Sequence, residues 1–393
     1  MLFERQVFKK LKGEIETKEI TVITGMRRVG KTTAMRYLYD QVESKNKVFL
    51  DLENPINRKV FEEENYDSVW NNLKEFGISE TGKAYIFLDE AQNLPELSRV
   101  AKYLYDHFEV KIFLTGSSSY YLRNLFPESL AGRKIVFELY PLNFSEYLVF
   151  NSVRRIEAGT PKEKATKKNK ISYASLDPYY QEYLEFGGFP SVVLEENPER
   201  KRILLSEIFT SYFEKDAKNL ADFKDMSKLR DLILLLAPRV AQRIEVQKLA
   251  SELAISRQTV YNYLSFLEQT YFISLLPRLS ASIDRQAAGS NKLYFCDSGI
   301  VNILGKVSQG QLFEQSVFQN LRGFYNLSYF SKEGTSEIDF ILDGNIALEV
   351  KLSFSARDMR SLKQRARGLN IAESYIVSNR FTDSSSAILA VDL

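Results

Sequence analysis

The chain has 393 residues, 44% hydrophobic and 13% aromatic, which suits two to four packed domains and excludes a largely disordered polypeptide. A formal net charge of +2 excludes a global field for polyanions, so any nucleic-acid surface must be local. The single cysteine, Cys296, excludes an internal disulfide, no apolar run reaches spanning length, and the charged stretch Met1–Lys10 is unlike a signal peptide; a cytoplasmic protein with no membrane partner is expected.

The first strong pattern is Ile20–Thr24, a β-branched run that reads as a buried parallel strand. Gly25 to Thr32 then spells G-x-x-x-x-G-K-T, and a helix is predicted from Thr33 through Val42. Strand, glycine-bounded loop and helix is the context of a phosphate site. Gly25 and Gly30 permit turns that a Cβ would oppose, so the backbone of Gly25, Met26, Arg27, Arg28, Val29, Gly30, Lys31, Thr32 and Thr33 is expected to cradle phosphates at a helix N-terminus. Lys31 would reach the β- and γ-phosphates of ATP, and Thr32 would offer its hydroxyl to Mg²⁺. Arg27 and Arg28 add charge at the loop or point to solvent.

Further strands are predicted at Val48–Leu52, Ala84–Glu90 and Lys111–Ser117, with helices between them, which argues for a parallel sheet with its ligand at the carboxyl edge. Polar residues arrive there from these strands. Asp89 is placed to hold Mg²⁺, Glu90 to orient or deprotonate water, and Ser117, with Thr115, to sense the γ-phosphate. His107, the sole histidine, reads as a helix-surface residue.

With Leu88-Asp-Glu-Ala-Gln-Asn-Leu-Pro95 and Leu114-Thr-Gly-Ser117 in view, the chain resembles AAA-type ATPases. More narrowly, it resembles a prokaryotic family in which such an ATPase precedes a C-terminal domain of restriction-endonuclease-like ancestry. Leu130-Ala-Gly-Arg133, Tyr140-Pro-Leu-Asn-Phe-Ser-Glu-Tyr147 and Phe186-Gly-Gly-Phe-Pro190 extend the resemblance over essentially the whole chain. It implies ATP binding and hydrolysis that drive conformational change, without an established substrate. Arg133 is then the candidate arginine for the γ-phosphate, in cis or from a neighbouring copy in a homo-oligomer, a role worth roughly 10³–10⁵ in rate. The alternative is an exposed arginine leading into a strand at Lys134–Leu139.

Arg154–Lys170 is polar and basic and is expected to be a solvated loop; phosphate-backbone contact is the sharper alternative. Asp177–Phe186 and Glu199–Phe213 carry apolar residues at helical spacing and are expected to form a lid beside the ATP site. Val246–Leu253 and Arg257–Gln269, joined by Ala254-Ile255-Ser256, read as helix-turn-helix, with Tyr271–Leu276 opening a wing. Val260, Leu264 and Leu267 would face inward; Arg257, Gln258, Tyr261 and Asn262 would face out toward DNA or a protein partner.

The last domain is predicted as a strand Leu293–Asp297, a helix Gln311–Tyr325, three strands (Leu327–Ser331, Ser336–Leu342, Asn345–Leu352), a helix Asp358–Leu369 and a strand Ser374–Val377. Asp339, with Glu349-Val-Lys351, has the D…E-x-K spacing of the PD-(D/E)xK nuclease core. Asp339, Glu349 and Glu314 would ligate Mg²⁺ or Mn²⁺, and Lys351 would steer or deprotonate the attacking water on DNA. A surface Glu–Lys pair on an amphipathic hairpin is the bland alternative. The acids share a face only if the hairpin turn is odd or the hairpin carries a bulge: an odd turn Asp343-Gly344-Asn345, with Gly344 or Asn345 at positive φ, would pair Leu342 with Ile346 and set Asp339 opposite Glu349.

The expected fold is therefore α/β and multidomain: a P-loop parallel-sheet ATPase core at 1–150, a basic linker and helical lid at 151–217, a winged helix at 218–285, and an α/β nuclease-like domain at 286–393. The expected activity is ATP hydrolysis coupled to a metal-dependent nuclease-like domain. The alternative is a nucleotide-dependent switch or DNA-tethering ATPase whose C-terminal acids do no catalysis.

Overall fold

The computed structural model describes residues 3–116, 132–153, 159–217, 225–279, 291–332 and 336–393. They divide into two units, one of residues 1–140 with 269–271, the other of the remainder. Among the described residues no helix is long and apolar enough to cross a membrane.

The first unit is built on five parallel strands: β1 (Ile20–Thr24), β2 (Lys47–Asp51), β3 (Ala84–Asp89), β4 (Val110–Gly116) and β5 (Lys134–Glu138). Their order is β2-β3-β4-β1-β5. The three inner strands are buried at every residue, and their sequences are near-continuous apolar runs because helices cover both faces. Ile86, Leu88, Ile112 and Leu114 pack there with Leu97, Val100 and Leu104 of the helix Leu97–His107. The order matters for the site, because β4 separates the P-loop strand β1 from the acid-bearing strand β3. Each strand's carboxyl end lies at one edge, so Thr24, Asp89 and Thr115 arrive together.

The second unit holds a mixed sheet in the order β12-β11-β10-β9-β8, formed by β8 (Leu327–Lys332), β9 (Ser336–Leu342), β10 (Ile346–Lys351), β11 (Glu373–Ser378) and β12 (Ala387–Leu389). The register matches the odd-turn expectation. Leu342 pairs with Ile346 and Phe340 with Leu348, and continuing that register sets Asp339 opposite Glu349. Asp343 and Gly344 supply the positive φ angles, +48° and +75°, that close the three-residue turn. Phe340, Leu348 and Val377 pack with Phe313 and Val317 of the helix Gln309–Leu321. The helix Ala356–Arg367 lays Met359, Leu362 and Ala366 against Ile341, Ala347 and Ile376 in a second core.

Two expectations change here. The helix that starts at Lys170 and runs to Phe186 places Tyr180 and Tyr183 in the core under this sheet, and Tyr180 shares a 2.7 Å hydrogen bond with Ser316. It is an inner layer of the second unit, joined there by the helix Phe144–Phe150, which sequence placed at the end of the first domain. The basic stretch is also more ordered than a solvated loop. Thr160 and Glu163 form a capping box on the helix Pro161–Thr166, Ala165 is fully buried, and Lys168 donates to the carbonyls of Ser384 and Ala387. Tertiary contacts, invisible in a polar sequence, decide it; Arg154 and Arg155 lie outside the described residues.

The helix pair Val246–Leu253 and Arg257–Gln269 is present, followed by the antiparallel pair β6 (Ile273–Leu276) and β7 (Lys292–Phe295). Ser256 Oγ accepts from Thr259 N at 3.0 Å, a cap on the second helix of the pair. Val260, Leu264 and Leu267 are buried, whereas Arg257, Gln258, Tyr261 and Asn262 are exposed.

Candidate nucleotide site and the C-terminal acid cluster

The loop after β1 is shaped by three residues with positive φ: Gly25 at +148°, Arg28 at +63° and Gly30 at +98°. Gly25 is required on space as well. A Cβ there would stand 2.0 Å from the carbonyl oxygen of Leu139, whose own N–H donates to Thr24 O at 2.7 Å. Met26 and Val29 bury their side chains, and Thr33 is exposed. Arg5, which sequence reasoning missed, donates to Val29 O at 2.9 Å and to Tyr140 O at 3.0 Å, tying the loop to the N-terminal segment. Lys31 folds back over the loop, its ammonium donating to Gly25 O at 3.0 Å and Met26 O at 2.9 Å.

Asp89 ends β3 almost fully buried. It accepts from Thr115 Oγ1 and is hydrogen-bonded to Thr32. Burial raises its carboxyl above the ordinary range and Glu90 adds to this, while the Thr115 and Thr32 hydroxyls oppose it. Two hard oxygen donors, the Thr32 hydroxyl and the Asp89 carboxylate, therefore stand together beside Lys31, a donor set that fits Mg²⁺. Glu90 is held in the left-handed region at φ +56°, a strained position for a non-glycine residue. Its N–H donates to Thr115 Oγ1 at 3.0 Å, and its carboxylate accepts from the side-chain amide of Gln92, a partner sequence reasoning did not single out. Ser117 lies outside the described residues.

A family model described as an AAA domain matches residues 17–148. This part of the chain is a P-loop AAA-type ATPase domain. Residues 177–311 and 309–389 match two domains of unknown function, DUF8612 and DUF4143. The chain is similar to the uncharacterized protein MJ1544 of Methanocaldococcus jannaschii, 29% identical over 95% of this chain and 85% of that protein. An uncharacterized protein of Haemophilus influenzae is likewise 29% identical, over 83% of this chain and 80% of its own. Among solved structures, the Walker-type ATPase PABY2304 of Pyrococcus abyssi shares the fold with a TM-score of 0.52 and 16% identity, covering 77% of this chain and 95% of that one.

Arg133 is not at the AAA domain's phosphate loop. It immediately precedes β5, whose Lys134 pairs with Ile20, the first residue of β1. It thus stands at the amino edge, with the five residues of β1, about 16 Å of strand, between it and the loop. There it makes a 3.1 Å ion pair with Asp106 and lies over the Tyr105 ring. The cis assignment is corrected on that distance.

At the C-terminal acids, sequence reasoning found Glu314, Asp339, Glu349 and Lys351 and missed Glu337, Lys292 and Arg365. Lys292, at the start of β7 and 2% exposed, places its ammonium 3.0 Å from Glu314 Oε1, 2.5 Å from Glu337 Oε1 and 3.3 Å from Asp339 Oδ1. Tyr294 also donates to Glu314 Oε1 at 2.6 Å, and Val350 N to Asp339 Oδ2 at 2.8 Å. Glu349 is taken from both sides, by Lys351 at 3.0 Å and by Arg365. Burial alone would lower Lys292, but Asp339, Glu314 and Glu337 raise it well above its ordinary range. Burial likewise acts to lower Lys351, and Glu349 beside it raises it overall, which keeps it an ammonium rather than a base.

These residues do not fit the expected Mg²⁺ or Mn²⁺ site of Glu314, Asp339 and Glu349. Their inward oxygens are already engaged by ammonium, guanidinium, hydroxyl or N–H donors. A divalent ion about 4 Å from the Lys292 ammonium would meet roughly 8 kcal/mol of repulsion at an effective dielectric constant of about 20. Among the described residues no three Asp, Glu, His or Cys side chains form a group that could hold a metal. The D…E-x-K spacing is real, and its acids are engaged by its own Lys351 together with Lys292 and Arg365, which the spacing does not contain.

Proposed function

We propose that the chain is an ATP-hydrolysing switch whose second unit binds a macromolecular partner without cutting it. The observation that carries hydrolysis is the convergence of Thr32, Asp89, Thr115 and Glu90 beside Lys31. Lys31 would exchange the Gly25 and Met26 carbonyls for the β- and γ-phosphates of ATP. Thr32 and Asp89 would hold Mg²⁺, which neutralises phosphate charge when bound. Glu90, released from Gln92, would orient the attacking water and take its proton. Non-cleavage is supported by the engagement of Glu314, Asp339 and Glu349 with Lys292, Lys351 and Arg365. DNA is the proposed partner, read by the exposed Arg257, Gln258, Tyr261 and Asn262 of a winged helix.

Lys31→Ala should abolish ATP binding, because the phosphates lose the ammonium that lies over the loop. Glu90→Gln should keep ATP bound and slow phosphate release by about 10²–10⁴-fold, the contribution typical of a positioned base. Hydrolysis by Glu90→Gln equal to wild type would sink the assignment. Single- or double-stranded DNA incubated with wild type and Mg²⁺ or Mn²⁺, with and without ATP, should stay intact.

A further inference from the structure

We infer that the Lys292 ammonium is the resident cation of the second unit: it takes the place of a divalent metal among Glu314, Glu337 and Asp339, so that removing it creates a divalent-cation site the wild-type protein lacks. The inference deepens the non-cleaving reading of this unit and rests on it.

The cluster is built from separate elements. Glu314 comes from the helix Gln309–Leu321, Glu337 and Asp339 come from β9, and Lys292 comes from β7. β7 fixes the lysine backbone from two sides, since Lys292 pairs with Leu276 in β6 and bridges Arg243 on the other side. Its ammonium lies over the Tyr329 ring, 5.8 Å from the centroid, and three carboxylate oxygens stand within 3.3 Å of the nitrogen. An ammonium has three donors and no acceptor, so three oxygens satisfy it completely. The same three oxygens, freed, are hard anionic ligands of the kind that Mn²⁺ and Ca²⁺ select. Truncating the lysine leaves these acids without a counter-charge and opens the volume of its stem, the two conditions for a cation to enter. Glu349 is outside this exchange, because Arg365 and Lys351 hold it independently.

The test is a Mn²⁺ titration of the nucleotide-free full chain, with free Mn²⁺ read by electron paramagnetic resonance. Wild type should bind no ion at the cluster up to about 1 mM free Mn²⁺, the weak end of protein sites. Lys292→Ala should bind one Mn²⁺ per chain, at least about tenfold tighter than any wild-type binding, since the fixed positive charge has gone. Lys292→Ala/Asp339→Asn should lose that ion again. Thermal melts give a second readout: Lys292→Ala should melt below wild type and recover with Mn²⁺ or Ca²⁺, whereas the wild-type melt should not move. Should Lys292→Ala not fold, Lys292→Ser, which also drops the charge and opens the volume of the stem, takes its place. A wild-type Mn²⁺ site removed by Asp339→Asn overturns the inference, and so does a folded Lys292 variant that gains no ion. DNA cleavage by wild type would instead overturn the non-cleaving reading itself, and the two failures are read in different assays.

Discussion

Asp297 illustrates how one residue organises a region that its local sequence leaves blank. It is fully buried, and its two oxygens accept from Gly188 N at 2.7 Å and Gly299 N at 2.9 Å, with Gln319 at 3.1 Å. The glycine pair in Phe186–Pro190 is explained here: a Cβ on Gly187 would stand 1.7 Å from Asp297 Oδ1, and one on Gly188 would meet Leu142 O at 2.1 Å. Burial pushes the carboxyl from its ordinary 3.8 up to about 6, against the pull of the two N–H groups. The folded pKa is the higher one, so the stability tied to the protonated form is fully present below about pH 4 and is lost as pH rises through about 6. Asp297→Asn cannot titrate. The stability difference between wild type and Asp297→Asn, from chemical denaturation, should therefore grow in favour of wild type by up to about 3 kcal/mol between pH 7 and pH 4. A difference constant across that interval would mean that the carboxyl does not titrate there.

At the scale of elements, the β9–β10 hairpin was legible because strand alternation is arithmetic: acids at 339 and 349 can share a face only across an odd turn or a bulge. Gly344 at φ +75° has open space around it, so a side chain there meets conformational strain and no clash. Gly344→Val should cost about 1–2 kcal/mol in chemical denaturation, and Gly344→Asn, which tolerates the left-handed region, should recover most of it. Equal stability of the two variants would mean that the turn relaxes to another form. The P-loop, the β3 acids and the helix pair Val246–Leu253 and Arg257–Gln269 were legible for the same reason, since each is a local pattern with its period written in consecutive residues. Lys292 was not, because it lies 22 positions from Glu314 and 47 from Asp339, and no local period points a lysine at either. Arg365 sits on a helix that sequence predicted, yet only packing of that helix under the sheet turns its guanidinium toward Glu349. Spacing found the acids and Lys351; Lys292 and Arg365 required the tertiary fold.

At the scale of the whole molecule, the remaining question is whether the AAA domain completes its site alone. Thr32, Asp89, Thr115 and Glu90 come from one chain and one sheet edge, but Arg133 stands at the opposite edge, paired with Asp106. A residue at that edge reaches the phosphates of another copy or none. If it serves another copy, Arg133→Ala keeps an intact loop and lacks the arginine, while Lys31→Ala keeps the arginine and lacks a working loop. Each alone should be inactive. Mixed in equal amounts with subunits that exchange, about a quarter of all sites pair an intact loop with an intact arginine, because each condition is met half the time in a closed head-to-tail or twofold assembly. Phosphate release by the mixture should then recover to about one quarter of wild type, with ATP binding unchanged in the Arg133→Ala subunits. If Arg133→Ala retains hydrolysis by itself, or if the mixture stays inactive while the subunits are shown to exchange, Arg133 is an amino-edge partner of Asp106 and has no role at a phosphate.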